Sequence, residues 1–359
     1  MNSLLAPLTF RRGPAMKNRF MLAPLTNTQS HEDGILSDDE FNWLTMRAQG
    51  GFGLTMTCAA HVQEVGKGFP GQLGVWADDH IPGLTRLAQE IRGHNSLSIV
   101  QLHHAGMRSP AEIIGTQPLC PSDDSKSGAR GLSHAEVERL IEDFIAAAKR
   151  AELAGYDGVE LHGAHGYILC QFFSAETNKR TDEFGGSLAN RYRILFQIID
   201  GVRAQCRDDF MIGVRLSPER FGLDLSEVVT IAEQLMTSGQ IEFLDMSLWD
   251  SFKEPEDPQY KGRELIDYFT ALTRGDTRLG VAGNIRSARD AEAIMDRGID
   301  WLMLGRAAMW QHDFPDLYAK DKEFESVELP VTRAYLLSQG LSNRFIDYVK
   351  QGWPKYVED

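Results

Sequence analysis

The chain has 359 residues, 42% hydrophobic and 25% charged, enough for one large α/β domain or two ordinary ones. Fifty-one acidic against 37 basic side chains leave a net charge of −14, which disfavours nucleic acid or an anionic membrane as a partner. Cys58, Cys120, Cys170 and Cys206 are far apart and contain no CxxC pair, so neither a disulfide framework nor a zinc or iron–sulfur site is expected.

Reduced thiols in a cytoplasmic protein are the expectation. No apolar stretch approaches the ~18 residues of a membrane helix. The leucine-rich patch ahead of Arg11 and Arg12 reverses the order of a signal peptide.

In chain order, the β-rich runs are Arg19–Leu25, Gly53–Ala59, Leu97–His103, Asp157–His162, Met211–Leu216, Glu242–Ser247, Arg278–Ala282 and Asp300–Leu304. Most are continuously apolar, as in strands buried on both faces of a helix-covered parallel sheet. Helical patterns fall between them. Ser37–Gly50 opens on a capping signal and closes at Gly50-Gly51, and Ser133–Gly155 opens on Ser-His-Ala-Glu. Asn190–Arg203, Ser226–Ser238 and Ser287–Gly298 repeat the device. Alternation of this kind, eight times over, predicts a (β/α)8 TIM barrel. A doubly wound sheet is the alternative, but its glycine-rich first turn is missing. One domain over residues 1–359 is expected, with an N-terminal cap segment, an extended strand-3 loop from Gly106 to Leu132 and a helical tail beyond Pro315.

The active site of such a barrel lies at the C-terminal ends of its strands. There the chain places Thr26, Ala59, Gln101, His162, Arg215, Ser247, Gly283 and Gly305-Arg306. The last two strands end in Gly283-Asn284 and Gly305-Arg306, each ahead of a helix. Either these are two tight turns, or their backbone N–H groups and Arg306 receive a phosphate. Arg215 calls for an anion, a carbonyl or a salt bridge. Gln101 offers both a donor and an acceptor, as a flavin pyrimidine edge requires. His162-Gly-Ala-His165-Gly-Tyr167 delivers two imidazoles and a phenol within six positions. The pair could be structural, could ligate a metal, or could grip a substrate oxygen with Tyr167 as proton source. No third ligand has matching spacing, so no metal is expected.

Several motifs resemble the old yellow enzyme family of flavin-dependent ene-reductases, from roughly Leu8 to Met309. They are Asn18–Thr26, Gln101-Leu-His-His-Ala-Gly106, His162–Tyr167, Asn178–Arg193, Gly283-Asn284 and Gly305-Arg306. The resemblance implies noncovalent FMN reduced by NAD(P)H. Pro24, Leu25, Thr26, Ala59 and Gln101 would meet its ring system, Arg215 its N1 side, and Gly283, Asn284, Gly305 and Arg306 the phosphate end. It further implies that His162 and His165 bind the oxygen of an activated alkene and that Tyr167 donates the proton, in a ping-pong cycle shared by both substrates. Thr26 follows the threonine branch rather than the cysteine one, and His165 replaces an asparagine found elsewhere. Gln351 replaces an arginine in a tail that can reach a neighbouring subunit, so monomer and homodimer both stay open. A phosphate-binding lyase or aldolase without redox chemistry is the alternative of another class. It would call for a Schiff-base lysine or metal carboxylates at the strand ends.

Overall fold

The computed structural model describes residues 3–358; Met1, Asn2 and Asp359, at the ends of the expected domain, lie outside the described residues. Eight parallel strands close into a barrel. They are β1 (Phe20–Leu22), β2 (Leu54–His61), β3 (Leu97–His103), β4 (Gly158–Gly163), β5 (Met211–Leu216), β6 (Phe243–Ser247), β7 (Arg278–Ala282) and β8 (Trp301–Leu304). Each pairs with its sequence neighbour, and β8 closes on β1 with Phe20 opposite Leu302. The continuous apolar runs explain this directly, since every residue of β2 to β5 is buried.

The first strand is shorter than the expected Arg19–Leu25. Ala23 N–H still bonds Leu304 O at 3.0 Å, but Pro24 has no N–H to continue the ladder. β2 runs past Ala59 to His61, with a register shift between Met56 and Ala59. Helices cover the outside. Ser37, Ser133 and Ser287 cap Asp38–Gln49, His134–Leu153 and Ala288–Met295 through the backbone N–H three residues on. Asp224 and Ser187 do the same for Leu225–Thr237 and Leu188–Gln205. Ile81–Gly93 is an additional helix with Pro82 in its first turn, burying Leu84, Leu87, Ala88 and Ile91.

The N-terminal segment closes the bottom of the barrel. Leu8 and Met16 bridge to each other and join Met21, Leu54, Met211, Phe243 and Trp301 in the inner core. The Phe10 ring packs edge-on, 5.8 Å from Trp301 and 6.4 Å from Phe243. The loop after β3 carries a short ladder, Leu119–Cys120 with Arg130–Gly131. A second long insertion follows β6, holding a 3₁₀ turn at Pro258–Tyr260 and one α-helical turn at Asp267–Thr270. Short tail helices, Arg333–Ser338 and Asn343–Gly352, return the chain to the barrel mouth. All four cysteines are free and buried. Among the described residues, no helix is long and apolar enough to cross a membrane.

Candidate active site

The strand ends surround a cavity of about 470 Å³, within the range of small-molecule sites. Its walls include Pro24, Leu25 and Thr26 after β1, His165 and Tyr167 after β4, and Arg215 on β5. Gly283 and Asn284 after β7 and Gly305 and Arg306 after β8 complete the far side. Ala59, Gln101 and His162 lie on the adjoining strand ends, outside the lining itself.

The loop after β4 folds back on itself because His165 and Gly166 both take positive φ, 61° and 70°. Three contacts hold it there. His165 N–H donates to Ser217 Oγ at 3.0 Å, Gln171 Nε2 donates to Gly166 O at 2.8 Å, and Arg108 Nη1 donates to the His165 carbonyl. The fold-back brings the rings of His162 and His165 to 5.0 Å, and His162 and Tyr167 to 5.3 Å. His103, at the end of β3, completes the cluster 4.3 Å from Tyr167. The Arg108 guanidinium lies over the Tyr167 ring at 4.8 Å.

Burial pushes the His162 pKa well below the usual imidazole range, helped by His165. Burial, with Arg215 and Arg108 nearby, lowers His165 to about 3. Both rings are therefore neutral at pH 7, each with one donor and one acceptor. His165 Nε2 meets Ser247 Oγ at 2.8 Å, and His162 Nδ1 is buried without a partner. His103 Nδ1 faces Gln72 Nε2 at 3.0 Å; an amide nitrogen can only donate, so the His103 proton resides on Nε2. Among the described residues, no group of three or more His, Cys, Asp or Glu is placed to hold a metal ion.

Arg215 is 5% exposed and reaches Ser247 Oγ at 3.5 Å, while its Nε and Nη1 are buried without protein partners. Gln101 turns inward and donates to Glu160 Oε1 at 2.6 Å. At the other end of the cavity, Asn284 takes φ 56° and donates to Asp250 Oδ2 at 3.2 Å. A Cβ on Gly283 would fall 2.8 Å from Ser251 N and Oγ, so glycine is what lets these backbones meet. Arg286 and Arg306 converge from the two loops on the Tyr356 hydroxyl, at 3.0 and 3.5 Å. Arg286 Nε, Asn284 Oδ1 and Ser251 Oγ are buried without partners. Two cations beside the unpartnered donors Arg286 Nε and Ser251 Oγ, where two strands meet two helix starts, have the chemistry to receive an anion.

Sequence reasoning did not single out Arg286, Phe221, Trp249, Tyr348 or Tyr356. Arg286 had a visible signal, since it stands three residues beyond Gly283 in an expected phosphate loop. Phe221 and Trp249 take positive φ and form an aromatic rim, with Trp249 62% exposed. Tyr348 and Trp353 come from the tail and pack at 6.2 Å; Trp353 thus lines the cavity of its own chain. Burial raises the Tyr348 pKa, with Thr26 acting in the opposite direction, and both residues line the cavity. No lysine occurs among the lining residues.

Residues 3–325 match the NADH:flavin oxidoreductase / NADH oxidase family. The chain belongs to this family, the old yellow enzymes. A probable NADH-dependent flavin oxidoreductase of Bacillus subtilis, YqiG, is 34% identical over 371 residues, covering 99% of this chain and 98% of the relative. An NADH:fumarate oxidoreductase of Klebsiella pneumoniae is also 34% identical, over 91% of this chain but 36% of its own length. Among solved structures, an old yellow enzyme homologue from Zymomonas mobilis superposes with a TM-score of 0.80 at 27% identity, over 97% of this chain and 99% of that one. This old yellow enzyme is thus an NAD(P)H-dependent flavin oxidoreductase on a TIM barrel, with FMN as cofactor. The residues fit that cofactor. The Arg215 guanidinium, with its Nε and Nη1 free of partners, suits an electron-rich ring edge, and the arginine pair with the unpartnered Ser251 hydroxyl suits a phosphate.

Proposed function

We propose that this chain is an ene-reductase that uses NAD(P)H to reduce the activated C=C bond of α,β-unsaturated carbonyl or nitro compounds. The carrying observation is one cavity that joins His165 and Tyr167, with the His162 ring packed beside them, to a buried arginine whose Nε and Nη1 have no partner and to a pair of arginines at its far end.

Pro24, Leu25, Thr26, Ala59 and Gln101 would border the FMN ring system, and Arg215 its N1 side. Gly283, Asn284, Gly305 and Arg306, joined by Arg286, would hold its phosphate. When bound, FMN supplies reversible two-electron hydride chemistry. His162 and His165 donate hydrogen bonds to the substrate oxygen and stabilise negative charge that develops there. Neutral imidazoles serve as these donors without being deprotonated across the working pH range. Tyr167 holds the proton destined for the α carbon, its ring held beneath the Arg108 guanidinium. Phe221, Trp249 and Trp353 narrow the mouth and exclude water.

One cavity serving both donor and acceptor implies ping-pong kinetics, with the oxidised nicotinamide leaving before the alkene enters. The residues 1–359 would act as one cytoplasmic FMN-binding domain, as a monomer or a homodimer. Purification and stopped-flow mixing test the reading. A yellow protein reduced by NADH or NADPH and then reoxidised by enones, maleimides or nitroalkenes supports it. A flavin-loaded protein that no activated alkene reoxidises refutes it.

A further inference from the structure

Where the cavity wall meets the barrel interior, four consecutive strands carry polar side chains: Arg215 (β5) at the wall, and Gln101 (β3), Glu160 (β4) and Asp245 (β6) behind it. Glu160 and Asp245 are both 0% exposed. Gln101 satisfies Glu160 Oε1, but Glu160 Oε2 and both Asp245 oxygens are buried with no donor. Glu160 on β4 and Asp245 on β6 lie on either side of β5, and their carboxyl groups interact in the barrel interior. Two bare carboxylates cannot hydrogen-bond, and at this depth their charges repel strongly. A proton between them resolves both problems at once. Burial and the neighbouring Glu160 push the Asp245 carboxyl well above the carboxylate range.

The surroundings are specific. Arg215 is opposite Asp245 in the β5–β6 register and opposite His162 in the β4–β5 register. The Trp301 indole approaches Asp245 from β8. On β7, Gly280 leaves room for the acid, because a Cβ there would fall 2.5 Å from Asp245 Oδ1.

We propose that Glu160 and Asp245 share one proton, and that the single negative charge they keep sets how strongly Arg215 favours reduced over oxidised FMN. The proposal rests on the cofactor placement above. The two acids are positioning residues, acting through Arg215 and Gln101 rather than on substrate. Two negative charges would outweigh the guanidinium and leave the layer at −1, and none would leave the guanidinium uncompensated. One charge leaves a net-neutral layer that holds Arg215 in place yet still lets it answer the charge gained on reduction.

The test is the two-electron midpoint potential of the flavin-loaded protein at pH 7. In E160Q or D245N the amide donates into the remaining carboxylate, so the charge stays at −1. The ratio of reduced- to oxidised-FMN affinity should then change less than about threefold. E160Q/D245N removes the charge, and the ratio should rise at least tenfold, ~30 mV for a two-electron couple. A tenfold rise in either single variant, or an unchanged double variant, overturns the proposal. Infrared spectra provide an arm that needs no double variant. A protonated-carboxyl stretch must be present in the wild type at pH 7 and be lost in E160Q with no new one in its place. If no such band is lost, or one remains at Asp245, the shared proton is refuted. Flavin content separates the two layers of argument. Protein that never takes up FMN removes the cofactor reading itself. Variants that all hold FMN but break the potential pattern remove the acid pair alone.

Discussion

Burying imidazoles makes this fold sensitive to mild acid. His61 and His104 are each 2% exposed, and burial lowers their pKa values to about 4 and about 3. Unfolded, each titrates near 6.5. As pH falls below 6.5 the unfolded chain binds protons that the folded chain refuses, so stability is lost downward from that point. The loss levels off at the folded values, near pH 3 to 4. Between pH 6 and pH 5, each of these two residues forfeits about 1.2 kcal/mol, some 2.4 kcal/mol together. His103 and His162, shifted in the same direction, add to the loss. His104→Asn isolates one contribution. His104 Nδ1 accepts the Gly106 N–H at 2.9 Å, and an asparagine carbonyl can take its place without titrating. Urea unfolding of the flavin-loaded protein at pH 6 and pH 5 gives the readout. The stability drop over that unit should be smaller by about 1.2 kcal/mol in H104N than in wild type. Equal drops in the two proteins would show that His104 is already protonated in the fold, or that its burial is relieved by water.

Tyr167→Phe should slow reoxidation by alkenes about 10²- to 10⁴-fold while leaving reduction by NAD(P)H near wild type; equal losses in both half-reactions count against a proton-donor role. Replacing His162 and His165 together with alanine should weaken phenol ligands, which present an oxyanion, by about 1–3 kcal/mol per lost bond. Unchanged phenol affinity in a spectral titration would take the pair out of the oxygen site. Arg306→Ala should lower FMN affinity at least about tenfold through loss of a charge-assisted contact, measured by fluorescence on dilution. Retention equal to wild type would place the phosphate elsewhere. Gly158→Ala puts a Cβ 2.3 Å from the Met211 carbonyl oxygen, so a stability loss of about 1–3 kcal/mol is expected on urea titration. A neutral result would mean that β4 and β5 can separate at that point.

The barrel was legible because its strands are buried on both faces and its helices begin at serine and aspartate caps, both local signals. The residue types at the strand ends followed from the same alternation. What escaped was non-local. Glu160 and Asp245 fell inside apolar runs, and closure of the barrel is what turns them toward one another. Tyr348 reaches the cavity, and Tyr356 the arginines beside it, through a tail that crosses back over the mouth, and no spacing within the tail encodes that path. Ile81–Gly93 carried a readable pattern in Leu84, Leu87, Ala88 and Ile91. The long segment after β6 is irregular, so its polar and aromatic composition offered no period to detect.

Tyr356 ties down the two arginines at the phosphate end although it belongs to the last few residues described. It is anchored by a backbone bridge from Val331 to Val357, a 3₁₀ turn, edge-on packing against Trp310 and burial of Val357 in the core. On the cofactor placement proposed above, loosening this segment would free both arginines at once, so FMN retention is expected to fall with the hold of Tyr356.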